Sequence, residues 1–145
     1  MVNAEIRTLH EPDGTPVCNA AFDLSADQLR AAAHACSEIR AQRHRGDALE
    51  TDAVLALREL TGVCDELDRL AEAGGHATVV LPLARFAALH DALDEWVAAR
   101  TERGWLREEE HDAMAIVTAL LAPMAALRAE GYRATLDERP HAHRR

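Results

Sequence analysis

Lysine is absent from this sequence, and all sixteen of its basic side chains besides histidine are arginine. Arginine without lysine, in a chain rich in alanine and leucine, is typical of a GC-rich bacterial genome. Aspartate and glutamate together number twenty-five, which gives a net charge of −9 at pH 7. Nucleic-acid binding depends on clustered cations that neutralise phosphates. The charge balance therefore argues against a nucleic-acid partner and leaves a DNA-associated regulator as the weakest alternative.

Cysteine is scarce as well: the chain has three, at positions 18, 36 and 64. An odd number at wide spacing, without a CxxC pair, is typical neither of a disulfide framework nor of a zinc site. Cys36 and Cys64 fall at helical spacing among apolar residues, which predicts that they fill the core. Cys18, in a predicted strand, is expected to be more exposed.

Targeting and membrane signals are missing from the sequence. The first residues lack the apolar segment of a signal peptide. No uninterrupted apolar run approaches the eighteen or more residues of a membrane span. We therefore expect a cytoplasmic protein with reduced thiols and no membrane partner.

Catalytic and cofactor motifs are missing too. The sequence contains no GxGxxG or GxxxxGK[ST] phosphate-binding loop, no GxSxG nucleophile motif and no HExxH zinc motif. No catalytic, cofactor-binding or metal-binding residue is assigned on this basis, and no cofactor is implied. The sequence favours a protein that is not an enzyme.

The sequence contains two similar segments fifty-seven residues apart, GGHATVVL from Gly74 and GYRATL from Gly131. The same shift superposes Leu24 on Leu81, and it matches other identical pairs: Glu38 with Glu95, Arg43 with Arg100, Thr61 with Thr118, Leu70 with Leu127. A fixed period in this range indicates a duplicated supersecondary unit. The sequence predicts two repeats, 17–74 and 76–131, each a strand followed by two helices.

Local signals place the elements. Pro12, Asp13 and Gly14 predict a turn after a strand at 3–11, and Ser25 with Gln28 forms a capping box at the start of the first helix. Glycines 46, 74, 104 and 131 are expected to end the four helices, the second of which begins near Asp47. Pro82 suits the first turn of the third helix, and Pro123 should kink the fourth.

Together these signals predict an α+β fold. A short antiparallel sheet, made of the N-terminal hairpin and strands near 76–81 and 132–136, is covered on one face by two helical hairpins. The alternative is an all-α four-helix bundle. Residues 1–138 form one domain in this prediction, and residues 139–145, which carry His141 and His143, form a disordered tail.

Two pairs of residues are candidates for metal binding or acid–base chemistry. Glu108 and His111 form an ExxH pattern, which is half of a di-iron ligand set, but a second copy is missing and a solvated helix start is the better interpretation. His90 and Asp94 lie four residues apart, with His90 on an apolar stripe. Two ligands do not make a metal site, so we interpret His90 as a core histidine that is hydrogen-bonded to a backbone carbonyl or a partner carboxylate.

Aromatic residues are few, and Trp105 and Tyr132 each directly follow a glycine. This position predicts that they seal the ends of the core, although protein-binding surfaces are also rich in aromatic residues.

The leading functional hypothesis is a small non-enzymatic protein that binds a protein partner or itself, as a regulator, adaptor, or antitoxin- or immunity-like protein, including as a homodimer. Exposed strand edges are the expected binding surface. The alternative is a ligand- or metal-binding protein or an enzyme, with a pocket between the helical hairpins near His90 and Asp94.

Overall fold

A computed structural model describes residues 1–44 and 51–137 of the chain. Within these residues the fold consists of three strands and four helices, in the order β1 (Val2–His10), β2 (Pro16–Leu24), α1 (Ala26–His44), α2 (Thr51–Ala73), β3 (Ala77–Pro82), α3 (Leu83–Arg103) and α4 (Glu110–Asp137). The predicted α+β class is confirmed, and the all-helical alternative is wrong. Gly46, the predicted start near Asp47 and the tail 139–145 lie outside the described residues.

The sheet is antiparallel, in the order β1-β2-β3, with β2 in the middle. Burial alternates along β3, where Val79 and Leu81 are buried while Thr78 and Val80 are exposed. This alternation with a period of two places one side of β3 against the helices and the other toward solvent. The central strand β2 is instead buried at four consecutive positions, from Asn19 to Phe22. The helices supply the cover, because α1, α3 and α4 all contact β2.

Three local structures predicted from the sequence are confirmed: the β1–β2 turn, the capping box of α1 and the glycine that ends α3. The backbone N–H of Gly14 donates to the carbonyl of Glu11 at 2.8 Å and closes the β1–β2 turn. The capping box is reciprocal: Ser25 N–H donates to Gln28 Oε1 at 2.9 Å, and Gln28 N–H donates to Ser25 Oγ at 3.2 Å. Gly104 has φ 82° and ends α3, as a left-handed C-cap requires.

The predicted closing strand at 132–136 is wrong, because α4 continues through Gly131 to Asp137. Gly131 is buried inside this helix, and a Cβ built there would lie 2.7 Å from Leu83 Cδ2 and 3.3 Å from Ile6 Cδ1. The glycine therefore permits close packing of α4 against β1 and the start of α3. It does not end the helix, and the sheet gains no fourth strand from these residues.

The two halves of the fold correspond at the predicted spacing. A shift of fifty-seven residues carries α1 onto 83–101, against 83–103 for α3, and α2 onto 108–130, against 110–137 for α4. The halves therefore match closely except that α4 continues seven residues further at its C-terminal end. Phe22 and Val79, which this shift relates, stand directly opposite each other in the β2–β3 register. Antiparallel pairing of equivalent positions is what a local twofold axis between the halves produces. Common origin of the two units stays a prediction.

Candidate functional site

A buried network of charged side chains joins α1, α3 and the start of α4. Arg100 is 8% exposed and donates through Nε to Glu110 Oε2 at 2.8 Å. Another guanidinium nitrogen of Arg100 is ion-paired with Glu38. Arg103 reaches the other oxygen of Glu110 at 2.5 Å. A buried charge is tolerated only when it is paired and hydrogen-bonded, and each charge in this network is.

Trp96 completes the network from the core side. Its indole Nε1–H donates to Glu38 Oε2 at 2.9 Å, and the Arg100 guanidinium lies 3.9 Å from the centre of its ring. A cation over an indole face is a favourable electrostatic contact. His34 Nε2 lies 2.8 Å from the second oxygen of Glu38, so both carboxylate oxygens have partners.

The electrostatics of Glu110 follow from these contacts. Its pKa is lowered from 4.5 to about 2, chiefly because the backbone N–H of Arg107 donates to the carboxylate, with Arg103 and Arg100 adding to the effect against the cost of burial. Hydrogen bonds to the charged form favour that form. Glu110 is therefore a fixed anion at neutral pH, held between Arg100 and Arg103.

A similar but simpler ion pair stands at the corresponding place in the other half. Arg43 and Glu95 are fifty-seven residues from Arg100 and Glu38, and they pair at 2.8 Å with side chains 31% and 49% exposed. The positions equivalent to Trp96 and Glu110 are Ile39 and Ala53. The aromatic ring and the second carboxylate thus distinguish the buried pair from the exposed one.

Two surface grooves lie at places that the fifty-seven-residue shift relates to each other. Groove A, of about 640 Å³, lies between α1 and α4, and groove B, of about 420 Å³, lies between α2 and α3. Seven of the nine residues lining groove B are counterparts of groove A residues. Three charged residues of groove A have alanine as their counterpart in groove B: Asp27 corresponds to Ala84, Arg30 to Ala87 and Glu110 to Ala53, while His34 corresponds to Asp91. None of the residues lining groove A carries a hydroxyl, thiol or amine nucleophile.

The candidate residues predicted from sequence are not assembled into a site. His90 is partly buried, and its Nδ1 lies 3.1 Å from NH1 of Arg128, which is neither the backbone carbonyl nor the carboxylate that was expected. Asp94 is exposed and lines neither groove. Glu108 and His111 are exposed too, as expected of a solvated helix start. Among the residues that the structure describes, no group of three or more histidine, cysteine, aspartate or glutamate side chains could hold a metal ion.

The cysteines lie where the sequence predicted. Cys36 and Cys64 are fully buried, and Cys18 is partly exposed. The pKa of the Cys36 thiol is raised, first by its hydrogen bond with Cys64 and then by burial. A neutral buried thiol is a poor nucleophile, so Cys36 acts here as a core side chain.

The most unusual surface of the molecule is the outer face of α4, formed by exposed alanines at positions 115, 119, 122, 126 and 129. No charged residue occurs between positions 113 and 127. The opposite side of the helix packs into the core through Val117, Leu120, Met124 and Leu127. A helix on the surface of a water-soluble domain ordinarily carries charged residues along its outer side, whereas α4 carries none between positions 113 and 127.

Helix α2, which the fifty-seven-residue shift carries onto α4, shows that the fold does not require an uncharged outer face. On α2, the positions equivalent to Ala115, Ala122, Ala126 and Ala129 are Arg58, Asp65, Arg69 and Glu72, and all four are exposed. The same place in the architecture is thus charged in one half and made of methyl groups in the other.

By length and composition, α4 would also qualify as a membrane span, and among the described residues it is the one helix that does. Its best 18-residue window has a mean hydropathy of 1.5, and 22% of that window is buried. Thr118 and Pro123 interrupt its apolar residues, so the sequence alone did not predict a span here. The core helix of a soluble protein passes the same test of length and composition, but such a helix is mostly buried. Burial in the core therefore does not account for most of the apolar surface of α4.

The strand edges, which were the expected binding surface, carry features that oppose pairing. β1 has a register irregularity between Val2 and Glu5, and its Glu5 and Arg7 form an exposed ion pair. β3 has six residues and ends at Pro82. Bulges, charges and short strands are the usual devices that protect an edge from another chain.

The two aromatic residues that follow glycines do not seal the core as predicted. Trp105 is 57% exposed with the Arg103 guanidinium 4.1 Å from its ring, and Tyr132 is 66% exposed. Tyr132 lies on α4 because that helix does not end at Gly131. Its exposure extends the apolar surface of α4 toward its C-terminal end.

No protein-family model matches this chain, and no curated protein and no solved structure is significantly similar to it.

Sequence reasoning missed two features. It matched Glu38 with Glu95 and Arg43 with Arg100 as repeat identities, but it did not recognise that each glutamate pairs with the arginine of the other half. It also placed no weight on the uncharged stretch 113–127, which was visible in the sequence and would have directed attention to the outer face of α4.

Proposed function

We propose that this protein acts by binding a protein surface through the outer face of α4. The observation that carries the proposal is the contrast between two equivalent helices. Positions exposed and charged on α2 are exposed and alanine on α4. Interface centres are depleted of charged residues relative to the rest of a protein surface, and alanine side chains let a partner approach the helix backbone closely.

The rest of the surface also favours the outer face of α4 as the binding surface. The chain carries a net charge of −9, so a partner that approaches elsewhere meets more charge than it does here. The protected strand edges make α4 a better binding surface than the sheet. Tyr132 and Leu136, which are 66% and 39% exposed, add larger apolar groups at one end of the helix.

Site-specific photo-crosslinking tests this proposal. A photoreactive phenylalanine analogue at position 122, in the full chain in its own cells, should crosslink to a protein of one defined mass. The matched control places the same group at Asp65, the equivalent position on α2, where no such product is expected. Ala126→Arg should abolish the crosslink at position 122, because an unpaired charge would then be buried in the interface.

Three results would count against the proposal: no product at position 122, equal products at 122 and 65, or crosslinks to lipid alone. The last result would assign the apolar face to a membrane instead of a protein.

A small ligand in groove A is the second candidate function, and it is favoured by Asp27 and Arg30, whose counterparts in groove B are alanines. The variant Asp27→Ala/Arg30→Ala/His34→Asp gives groove A the side chains of groove B at these three positions of α1. Binding of a small molecule that is seen by NMR at the amides of α1 in the natural chain, and lost in this variant, would support it. A metabolite mixture that shifts no groove A amide would argue against it.

A further inference from the structure

Four exposed residues of α4 form a line at seven-residue spacing: Asp112, Ala119, Ala126 and Arg133. Seven residues are close to two helical turns, so such residues lie along one side of a helix. The two inner positions are small, and the two ends carry opposite charges. Read in the reverse direction, the line has the same small centre with its charges exchanged.

This arrangement is complementary to itself. If two α4 helices run antiparallel about a twofold axis near Ala122, Ala119 of one chain faces Ala126 of the partner subunit. The same axis places Asp112 opposite Arg133 of the partner subunit, and symmetry repeats the pair at the other end. A twofold interface uses the same patch on both subunits, so a patch must be complementary to itself in this way.

Resting on the proposed function of the outer face of α4, we infer that the partner is a second copy of this chain, held by antiparallel packing of the two α4 helices. Alanine at the centre lets the helix axes approach to the short end of the usual range, about 8 Å. Two chains that each carry a net charge of −9 repel at a distance. The uncharged face with its two cross-subunit ion pairs is where two copies meet with least repulsion.

Asp112 and Arg133 cannot form an ion pair with each other within one chain. They are twenty-one residues apart on the same helix, which corresponds to about 31 Å. Both side chains are exposed. The ion pairs found among the described residues involve neither of them.

Sedimentation equilibrium of the purified full chain, combined with charge reversal, tests the inference. The natural chain should be a dimer. Asp112→Arg and Arg133→Asp should each weaken the dimer about tenfold or more, because each places two like-charged contacts across the interface. The double variant, D112R with R133D, should recover most of the lost affinity, since both ion pairs are then restored with reversed polarity.

Recovery of dimer affinity in the double variant is the decisive result. The two residues are too far apart to interact in one monomer, so an effect on folding alone cannot produce it. Asp65→Ala/Arg69→Ala, on the equivalent face of α2, is the control and should leave the dimer intact. Circular dichroism of every variant checks that the helices are retained.

Several outcomes would overturn the inference. These are a monomer at all concentrations, a dimer that Ala122→Asp/Ala126→Arg does not weaken, or single reversals that the double variant does not rescue. A monomer whose position 122 still crosslinks to another protein would reject self-association while leaving the proposed function standing. Loss of both the dimer and the crosslink would reject both.

Discussion

Arg100 and Glu110 form an ion pair at 2.8 Å in which each side chain is only 9% exposed. The arginine comes from near the end of α3, and the glutamate is the first residue of α4. Their contact therefore ties the start of α4 to the end of α3. The apolar side of α4, formed by Val117, Leu120, Met124 and Leu127, packs into the core and leaves the alanine side facing outward.

Removal of the carboxylate of Glu110 should destabilise the fold strongly. Glu110→Gln leaves Arg100 and Arg103 without a charged partner at this position, and breaking one side of a buried ion pair costs about 3 kcal/mol. Urea unfolding should show this loss. Glu109→Gln, at the exposed neighbouring position, is the control and should change stability by less than about 0.5 kcal/mol.

The effect of Glu110 should depend on pH. Its pKa is about 2 in the folded chain, against an ordinary value of 4.5. A lowered carboxyl pKa contributes stability that is complete above the ordinary value and is lost as pH falls through the folded value. The difference in unfolding free energy between the natural chain and E110Q should therefore be constant above about pH 5 and shrink toward pH 2. A difference that stays the same over this range would contradict the assigned cause.

The two equivalent glutamates should differ in importance. Glu38→Gln weakens contacts to Arg100, Trp96 and His34 in a mostly buried setting, and we expect a loss of about 2 kcal/mol. Glu95→Gln affects an exposed pair with Arg43, which should cost less than about 1 kcal/mol. Parallel thermal and urea unfolding of the two variants measures the difference. Equal losses would show that Trp96 and Glu110 do not strengthen the buried pair.

The capping box at the start of α1 gives a smaller, local prediction. Ser25→Ala removes the acceptor for the Gln28 N–H and should lower the unfolding free energy by about 1 kcal/mol. Ser37→Ala, inside the same helix, is the comparison and should be close to neutral or slightly stabilising because alanine is the better helix former. A larger loss at position 37 than at position 25 would reject the capping role.

Gly131 tests why α4 is longer than predicted. Gly131→Val should place methyl groups against Leu83 and Ile6 and cost about 2 kcal/mol, as overpacking of a tight contact does. Ala41→Val, at an exposed position of α1, carries the helix penalty of a branched side chain without the clash. If the two variants lose the same stability, the close contact at Gly131 is unimportant.

Short-range chemistry explains which predictions from sequence were confirmed. The β1–β2 turn, the capping box of α1 and the glycine at the end of α3 each depend on residues within four positions of one another. Their hydrogen bonds form between those residues whatever the rest of the chain does. The repeat spacing was equally visible, because it required only a comparison of the chain with itself.

Predictions that failed needed information from distant residues. Gly131 looked like a helix end because glycine commonly ends helices, and the prediction for the strand after it depended on that interpretation. The contact that decides its role comes from Leu83 and Ile6, which are far away in sequence. Trp105 and Tyr132 failed for the same reason, since burial depends on what the fold brings over a side chain.

The sequence by itself determined the types of the elements before Gly131, their order along the chain, and the uncharged stretch in the fourth helix, because each follows from local hydrogen bonding or residue spacing. Only the tertiary structure decided that Glu38 pairs with Arg100, that Glu110 joins them in the core, and that the alanines at positions 115 to 129 face outward. These outcomes depend on how helices distant in sequence pack, and packing is a property of the whole chain.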